Sequence, residues 1–300
     1  PAMPVKSLFV EQRSSVLASG DRCSAVPSTI DNTRPHEDSN EGAGVASHKW
    51  FAMVHTPVSL SDAARIPSAS KALDMEWNKL QNELKAWDLG TVAERDDVIK
   101  RCKQRGTTAH FGTLMTLCHE KHSELNRPPE QREYKGRVVL RGDTVRDDTG
   151  YYAVFSEQGA SASHLAAAKF LDAIARFPQC DGSDSDAVGA YAQVPLKELE
   201  DEQGIETWIS LPRNRRPSNW SQFKDPVCKL VRNLYGHTLA GLLWEKYCHR
   251  IIKQLGFKTI PGWECLFAHR EKQLFLSVYV DDFKMAGKKE NLDSMWKALG

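Results

Sequence analysis

The chain has 300 residues, of which 41% are hydrophobic and 26% are charged, a balance typical of a folded globular domain. Its formal net charge is +1, so a polyanion could bind only at a local basic patch. The sequence contains no apolar run of membrane-spanning length and no signal peptide. The seven cysteines form no C-x-x-C pair, which favours free thiols in a reducing compartment over a disulfide framework or a zinc ribbon.

The N-terminal part of the sequence differs in composition from the rest. Residues 1–66 are rich in Ser, Asp, Glu, Pro and Gly and show no sustained apolar period. Such a composition buries too little apolar surface to offset the entropy of the chain. We therefore predict a disordered or weakly ordered tail over 1–66 and one ordered domain over 67–300.

The ordered domain begins with a predicted helix. Ser70 is the expected N-cap and Gly90 the expected stop, and between them apolar residues recur at helical spacing: Leu73, Trp77, Leu80, Leu84 and Trp87. A second, charged and weakly helical stretch is predicted over residues 91–103.

A long β-hairpin is predicted after Gly106, where the apolar period changes. Residues 110–118 form its first predicted strand, 119–133 a polar loop, and 134–141 the returning strand. Lys135 and Arg137 lie two residues apart on the returning strand, so both side chains should project from one face.

The remaining pattern mixes helices with short strands. Helices are predicted over residues 163–177, where Pro178 follows, and from Thr238 to Gly256. Residues 186–196 form a short mixed segment and residues 201–221 are predicted as loops. Strands are predicted over 227–234, 274–280 and 283–286. Regular βαβ units are missing from this pattern, which indicates an α+β domain with an antiparallel sheet.

The last predicted hairpin carries Asp281 and Asp282 at its tip. Two adjacent carboxylates beside a buried apolar hairpin are costly unless a cation meets them. An Asp-Asp pair in a solvated turn is the alternative interpretation of these two residues taken alone. The surrounding sequence, Tyr279-Val280-Asp281-Asp282 followed by Ala286-Gly287, decides between the two interpretations.

Six sequence blocks occur in an order that resembles copia-type reverse transcriptases of LTR retrotransposons. The YVDD segment at 279–282 resembles the family's palm hairpin, and the segment 186–196 resembles its first aspartate box, D-V-K-x-A-F/Y-L. The other four blocks are Trp77 with Leu80, Tyr134-Lys135-Gly136-Arg137-Val138-Val139, Val227-Cys228-Lys229-Leu230 with Leu234-Tyr235-Gly236 and Trp244, and Leu255-Gly256-Phe257 with Cys265-Leu266-Phe267. Together they cover roughly residues 72–300.

The resemblance implies an RNA-directed DNA polymerase built from fingers and a palm, with an antiparallel palm sheet backed by helices. It implies catalytic roles for Asp186, Asp281 and Asp282, which would hold two Mg²⁺ ions, or Mn²⁺ instead, about 4 Å apart. The carbonyl of Ala187 would join these metal ligands. The partners implied are an RNA or DNA template with a primer and deoxynucleoside triphosphates, in an intracellular setting, either a cytoplasmic element particle or the nucleus.

The resemblance also implies a nucleotide-binding set. Lys135 and Arg137 match the fingers cations that bind the triphosphate, although a solvated strand face is the alternative for both. Ala190 and Tyr191 belong to the first aspartate box, where the aromatic residue packs under the sugar and excludes a 2′-hydroxyl. A core tyrosine is the alternative for Tyr191. Gly236 would allow the close backbone approach that templating bases require.

Three departures from the family pattern bear on activity. Leu239, Gly241 and Leu242 replace the family's Gln, Pro and Arg beside the template. Residues 179–185 are more polar than the apolar strand expected before the first aspartate. The sequence is also expected to end before the helix and lysine that follow YVDD, and so to be truncated before the thumb. We therefore keep a second hypothesis, a catalytically impaired relic or domesticated palm that at most binds nucleic acid, and we expect weak or no processive synthesis.

Overall fold

The computed structural model describes residues 10–13, for which it gives the backbone, and residues 55–153 and 163–300 with their side chains. Much of the predicted tail, namely residues 1–9 and 14–54, lies outside the described residues. Within 55–153 and 163–300, no helix combines the length and the apolar character needed to cross a bilayer.

One six-stranded sheet carries the predicted aspartates. Its strand order is β1-β6-β12-β11-β10-β9, and every neighbouring pair is antiparallel. The strands are β1 (Val10–Arg13), β6 (Cys180–Ala187), β9 (Lys258–Thr259), β10 (Leu266–His269), β11 (Leu274–Tyr279) and β12 (Asp282–Lys288). The predicted α+β class and its antiparallel sheet are therefore confirmed.

A second sheet contains the predicted hairpin. Its strand order is β2-β4-β7-β8-β3, with β5 paired to β4 outside this path. The strands are β2 (His55–Val58), β3 (Trp87–Glu94), β4 (Thr108–Lys121), β5 (Glu133–Leu140), β7 (Ile205–Ser210) and β8 (Pro226–Leu230). The antiparallel β4–β5 pair confirms the hairpin, whose register runs from Leu114 opposite Leu140 to Lys121 opposite Glu133.

Helices pack against both sheets, and those packed against the first sheet cover both of its faces. The helices are α1 (Leu60–Ala63), α2 (Pro67–Asn78), α3 (Arg95–Arg105), α4 (Leu165–Ile174), α5 (Lys197–Gln203), α6 (Ala240–Gln254) and α7 (Lys289–Leu299). Met285 of β12 shares a buried cluster with α6 and α7, whereas its neighbour Ala286 packs against α4. Because successive strand residues point to opposite faces, α4 covers the face away from α6 and α7.

Strand β6 lies between β1 and β12 although its sequence is polar. The family pattern predicts an apolar strand at this position. Ion pairs and a hydrogen bond replace apolar packing along it. Asp184 pairs with Lys284 at 3.3 Å, and Asp181 pairs with Lys289 at 3.4 Å. The hydroxyl of Ser183 accepts a hydrogen bond from a buried tryptophan of α7 at 2.7 Å.

Several predicted boundaries are wrong. Helix α2 begins at Pro67 rather than after Ser70, since proline suits the first helical position. Trp87, predicted on that helix, opens strand β3, and β7 lies in a segment predicted as loops. Inside the predicted tail, β2 pairs with β4 and β1 pairs with β6, so described strands occur before residue 67. A helix, α7, does follow the aspartate pair, contrary to expectation.

A buried histidine couples this fold to pH. His237 is 6% exposed, and its Nδ1 accepts a hydrogen bond from the Leu239 N–H at 3.2 Å. Burial, with a smaller contribution from the nearby His110, lowers the pKa of His237 to about 4. His237 is therefore neutral in the folded protein at physiological pH, and folding opposes its protonation.

We predict that acid destabilises the protein between pH 6.5 and about 4 through this residue. The folded pKa of His237 lies below its unfolded value, so the unfolded chain binds the proton more strongly in this window and stability falls with pH. The loss at pH 4 should be roughly 3 kcal/mol. Urea unfolding measured from pH 7 to 4 should show a shallower decline for His237→Asn, which keeps a hydrogen-bond acceptor. Parallel curves for the two proteins would contradict the assignment.

Candidate functional site

A cleft of about 210 Å³ brings together charged residues from both sheets. Asp186 and Asp281 line it together with Lys135 and Arg137. The remaining wall comes from α2, from the turn after β6 and from the segment before α6: Glu76, Lys79, Leu80, Leu84, Ala187, Val188, Gly189, Ala192, Leu234 and Tyr235. Carboxylates and cations predicted from distant parts of the sequence thus share one cleft.

The turn that carries Asp281 is tight and strained. Tyr279 pairs with Asp282, so only Val280 and Asp281 connect β11 to β12. Val280 has a φ of 56°, a left-handed conformation that a β-branched residue rarely adopts. Strain of this kind persists only where the surrounding structure holds the backbone in place, and it is concentrated at functional sites.

Two hydrogen bonds hold this turn. The indole Nε1 of Trp244, on α6, donates to the Val280 carbonyl at 2.6 Å. The backbone N–H of Ala187, at the end of β6, donates to the Asp281 carbonyl at 2.7 Å. Trp244 is only 1% exposed, so the first bond is shielded from water. Asp281 is therefore placed by its own backbone, which is tied to both the helix and the neighbouring strand.

The three predicted catalytic aspartates lie at one end of the sheet. Asp186 and Asp282 are direct partners across β6 and β12, so their side chains lie on the same face. Asp186 and Asp281 line the cleft, whereas Asp282 is exposed beside it. Within the part of the chain that the structure describes, no three His, Cys, Asp or Glu side chains stand close enough to hold a metal by themselves.

Lys135 and Arg137, at alternate positions of β5, line the same cleft as Asp186 and Asp281. Burial lowers the pKa of the Lys135 ammonium, and the positive charges of Arg137 and Lys121 lower it further, while the charges of Glu76 and Asp281 oppose this shift. Arg137 approaches Glu76, with 4.0 Å between Nη1 and Oε1. The alternative of a fully solvated strand face does not describe these two side chains.

Two tyrosines stand next to each other at the base of the cleft. The rings of Tyr191 and Tyr235 meet edge to face with centroids 4.5 Å apart. Tyr235 lines the cleft, and the neighbouring, partly buried Tyr191 packs on the core of the first sheet. Burial raises the pKa of both phenols, and the charge of Asp281 adds to the effect. Ala190, predicted with this set, is fully buried in the same core.

Gly236 is required by a close contact within the protein backbone, and its predicted approach to templating bases stays a prediction. Its φ is +86°, and a Cβ at this position would stand 2.0 Å from the carbonyl oxygen of Leu140. The preceding Tyr235 carbonyl accepts a hydrogen bond from the Leu140 N–H at 2.8 Å. Gly236 is not among the residues that line the cleft. It therefore permits contact between the β4–β5 hairpin and the segment before α6.

The substitutions at Leu239 and Leu242 are accommodated in the core. Leu239 is 4% exposed, and Leu242 packs against the same apolar cluster. Neither residue lines the cleft. The expectation that both positions stand beside the template is therefore not supported by their packing.

Among the cleft residues that the sequence did not assign to the site, three have polar or charged side chains: Glu76, Lys79 and Tyr235. Glu76 and Lys79 are three residues apart, a spacing that places both on one helical face next to Trp77. This spacing is the sequence signal that indicates a charged helical face. Tyr235 belongs to one of the six blocks, where it directly precedes Gly236.

Comparison with known proteins agrees with this geometry. A family model described as reverse transcriptase (RNA-dependent DNA polymerase) matches residues 118–298. The Ty1-BL transposon Gag-Pol polyprotein of Saccharomyces cerevisiae is 28% identical over 159 residues, which cover 53% of this chain and 8% of that protein. The truncated Ty1-A Gag-Pol polyprotein of the same yeast is 28% identical over 159 residues, with 53% and 12% covered. The chain thus spans a small part of the relatives it matches.

We predict that Trp244→Phe loosens the turn at Val280. The substitution removes a buried hydrogen bond of about 1 kcal/mol, so amide exchange across residues 279–283 should accelerate roughly five- to tenfold. Trp296→Phe is the matched control, because its indole also donates a buried hydrogen bond, at 2.7 Å to Ser183. Hydrogen–deuterium exchange read by mass spectrometry checks the difference. Equal exchange at the turn in both variants would show that Trp244 does not hold it.

We predict that Gly236→Ala destabilises the protein far more than Gly204→Ala. Both glycines have positive φ, but a Cβ at Gly204 would meet nothing within 4 Å. Gly204→Ala should cost about 1 kcal/mol, the left-handed penalty alone. Gly236→Ala should cost at least about 3 kcal/mol, because the Leu140 backbone must also move. Urea unfolding measures both changes. Similar losses would mean that the Leu140 contact relaxes easily.

Proposed function

The chain belongs to the reverse transcriptase (RNA-dependent DNA polymerase) family, on its copia-type branch, and we propose that it adds deoxynucleotides to a primer 3′-hydroxyl under direction of an RNA or DNA template. The observation that carries this proposal is the cleft that Asp186 and Asp281 line together with Lys135 and Arg137. Acidic groups and cations in one cleft suit a reaction on a triphosphate.

We assign the two sheets to the two parts of the polymerase. The first sheet, with α6 and α7 behind it, is the proposed palm, because it carries all three aspartates. The second sheet is the proposed fingers, because its β4–β5 hairpin supplies Lys135 and Arg137. The nucleotide would lie where the two parts meet, with its triphosphate toward β5 and its sugar toward Tyr191.

The reaction is a displacement at the α-phosphorus of the incoming nucleotide. The primer 3′-oxygen forms the new bond to phosphorus, and the bond to the leaving pyrophosphate breaks. The proton of the primer hydroxyl passes to solvent, and negative charge grows on the pyrophosphate. Lys135 and Arg137 would bind that charge, Arg137 through the two-pronged geometry that guanidinium groups use on phosphate.

The family generally uses Mg²⁺, and the donors of the cleft fit that ion. Mg²⁺ prefers oxygen ligands and keeps several water or phosphate oxygens, so it needs few protein carboxylates. Asp186 and Asp281 would hold two such ions, or Mn²⁺ in their place, with Asp282 and the Ala187 carbonyl in support. When bound, the ions lower the pKa of the primer hydroxyl and neutralise phosphate charge.

Tyr191 is the proposed discriminator between deoxyribose and ribose. Its ring packs on the core through Ala190 and the β6 turn, so it cannot easily retreat from an added hydroxyl. Tyr235 braces the same ring at 4.5 Å. A rigid aromatic wall under the sugar would exclude a 2′-hydroxyl by steric overlap.

A catalytically impaired relic that binds nucleic acid remains the second candidate. The observation that favours it is the replacement of polar family residues by Leu239 and Leu242. Both leucines contribute to the core, so the replacement preserves the fold while removing polar groups. Metal-dependent primer extension distinguishes the two candidates, because a relic binds template and primer without extending it.

We predict that Asp281→Asn abolishes nucleotide addition, lowering the rate by at least about a thousandfold, because a neutral amide cannot replace a metal-binding carboxylate. Single-nucleotide addition to a labelled primer, with protein in excess and Mg²⁺ present, measures the effect. Asp293→Asn on the exposed face of α7 is the control and should keep wild-type activity. Extension by Asp281→Asn would contradict the site, and no extension by the wild-type chain would support the relic.

A further inference from the structure

We infer that Tyr235 is a positioning residue of the nucleotide pocket, whose ring contacts both the proposed triphosphate-binding Arg137 and the proposed sugar-facing Tyr191. This inference rests on the proposed function and names a residue for which that function alone gives no role. It follows from the contact of one ring with two side chains that act on different parts of the substrate.

The backbone of Tyr235 is fixed where the two sheets meet. Its carbonyl accepts the Leu140 N–H at 2.8 Å, which ties the segment before α6 to the end of β5. The next residue, Gly236, has a left-handed φ of +86°, and its Cα lies close to the carbonyl of the same residue, Leu140. The Tyr235 side chain therefore enters the cleft from a backbone that has little freedom to move.

The ring of Tyr235 contacts both partners. The Arg137 guanidinium carbon lies 5.4 Å from its centroid, within the range of a cation–π interaction. The Tyr191 ring lies 4.5 Å from the same centroid at an interplanar angle of 62°. Each of these contacts contributes about 0.5–1.5 kcal/mol in proteins. A single side chain thus connects the phosphate-binding and sugar-facing parts of the pocket.

Glu76 is an alternative partner for the Arg137 guanidinium. Its carboxylate lies 4.0 Å from Arg137 on the side of α2. If the aromatic ring were removed, Arg137 could turn toward Glu76 and form a closer ion pair, away from an incoming triphosphate. The contact with Tyr235 therefore competes with Glu76 for the orientation of the guanidinium.

The ring, rather than the hydroxyl, should account for the effect. Burial raises the pKa of the Tyr235 phenol, and the charge of Asp281 raises it further, so the group stays neutral at physiological pH. A neutral phenol adds no charge to a cleft that already contains several carboxylates. Phenylalanine at this position would keep both ring contacts.

The test is equilibrium binding of dATP and of ATP to the full chain. The assay contains Mg²⁺, a template, and a primer ended by a dideoxynucleotide, so that no turnover occurs. Tyr235→Ala should weaken dATP binding about tenfold and narrow the preference for dATP over ATP by at least about threefold, as loss of both ring contacts predicts. Tyr235→Phe should stay within about threefold of wild type. Tyr235→Leu keeps apolar bulk without a ring and should behave as Tyr235→Ala does.

Tyr152→Ala is the matched control. Its ring holds a guanidinium in the same way, with Arg146 at 4.5 Å, but it lies outside the residues that line the cleft. This variant should bind both nucleotides as the wild-type chain does, and thermal unfolding should show that all variants are folded. Affinity for the template and primer should be the same throughout, because Tyr235 acts on the nucleotide.

Three results would overturn the inference. The first is that Tyr235→Ala and Tyr235→Leu bind dATP and ATP with affinities within twofold of the wild-type values. The second is a Tyr235→Phe variant as weak as Tyr235→Ala, which would transfer the role to the hydroxyl. The third is a wild-type chain that binds no dATP. A wild-type chain that binds dATP selectively but never extends an unblocked primer would contradict the polymerase proposal and leave the Tyr235 inference intact.

Discussion

The pairing of β6 with β12 is the contact on which the candidate site depends. It sets Asp186 opposite Asp282, although nearly a hundred residues separate them in the sequence. Beyond this pair, the N–H of Ala187, the last residue of β6, donates a hydrogen bond to the carbonyl of Asp281 in the turn before β12. Because side chains alternate along a strand, a slip of one residue would turn Asp186 to the core face and remove its carboxylate from the cleft.

Electrostatic balance explains why this pairing tolerates so much charge. Carboxylates close together repel one another, and each loses hydration as the cleft closes around it. Lys135 and Arg137 offset this repulsion, and Lys284 neutralises Asp184 one step further along β6. Lys135 and Arg137 line the cleft. Lys284, in contrast, forms ion pairs with Asp172 of α4 and with Asp184. Charges used for structure and charges available to a ligand are thus kept apart.

The sequence predicted the elements whose signals are local. Apolar residues at helical spacing predicted α6. A change of apolar period predicted β4 and β5, and a continuous apolar run predicted β11. Prediction failed where the deciding interactions are distant in sequence. Strand β6 looked too polar because its ion pairs come from β12 and α7, and Trp87 fits a helical period until β8 pairs with it.

The candidate site shows the same division. The motifs identified Asp186, Asp281 and the two cations, because family patterns preserve residue types. They could not show that the Gly236 backbone meets Leu140, or that Tyr235 contacts both Arg137 and Tyr191. These contacts connect residues from distant parts of the sequence, so the spacing of residues within one block cannot predict them.

The two sheets also differ in when the growing chain can complete them. All strands of the second sheet lie between His55 and Leu230, whereas β12 of the first sheet ends at Lys288. During synthesis from the N-terminus, the second sheet can therefore assemble before the strand that carries Asp282 has been made. Until then β6 lacks β12 as its partner, and the closure of a long loop makes this pairing a slow step. The candidate site is accordingly completed late in synthesis, and a ribosome-bound intermediate would present a folded second sheet beside an unfinished first sheet.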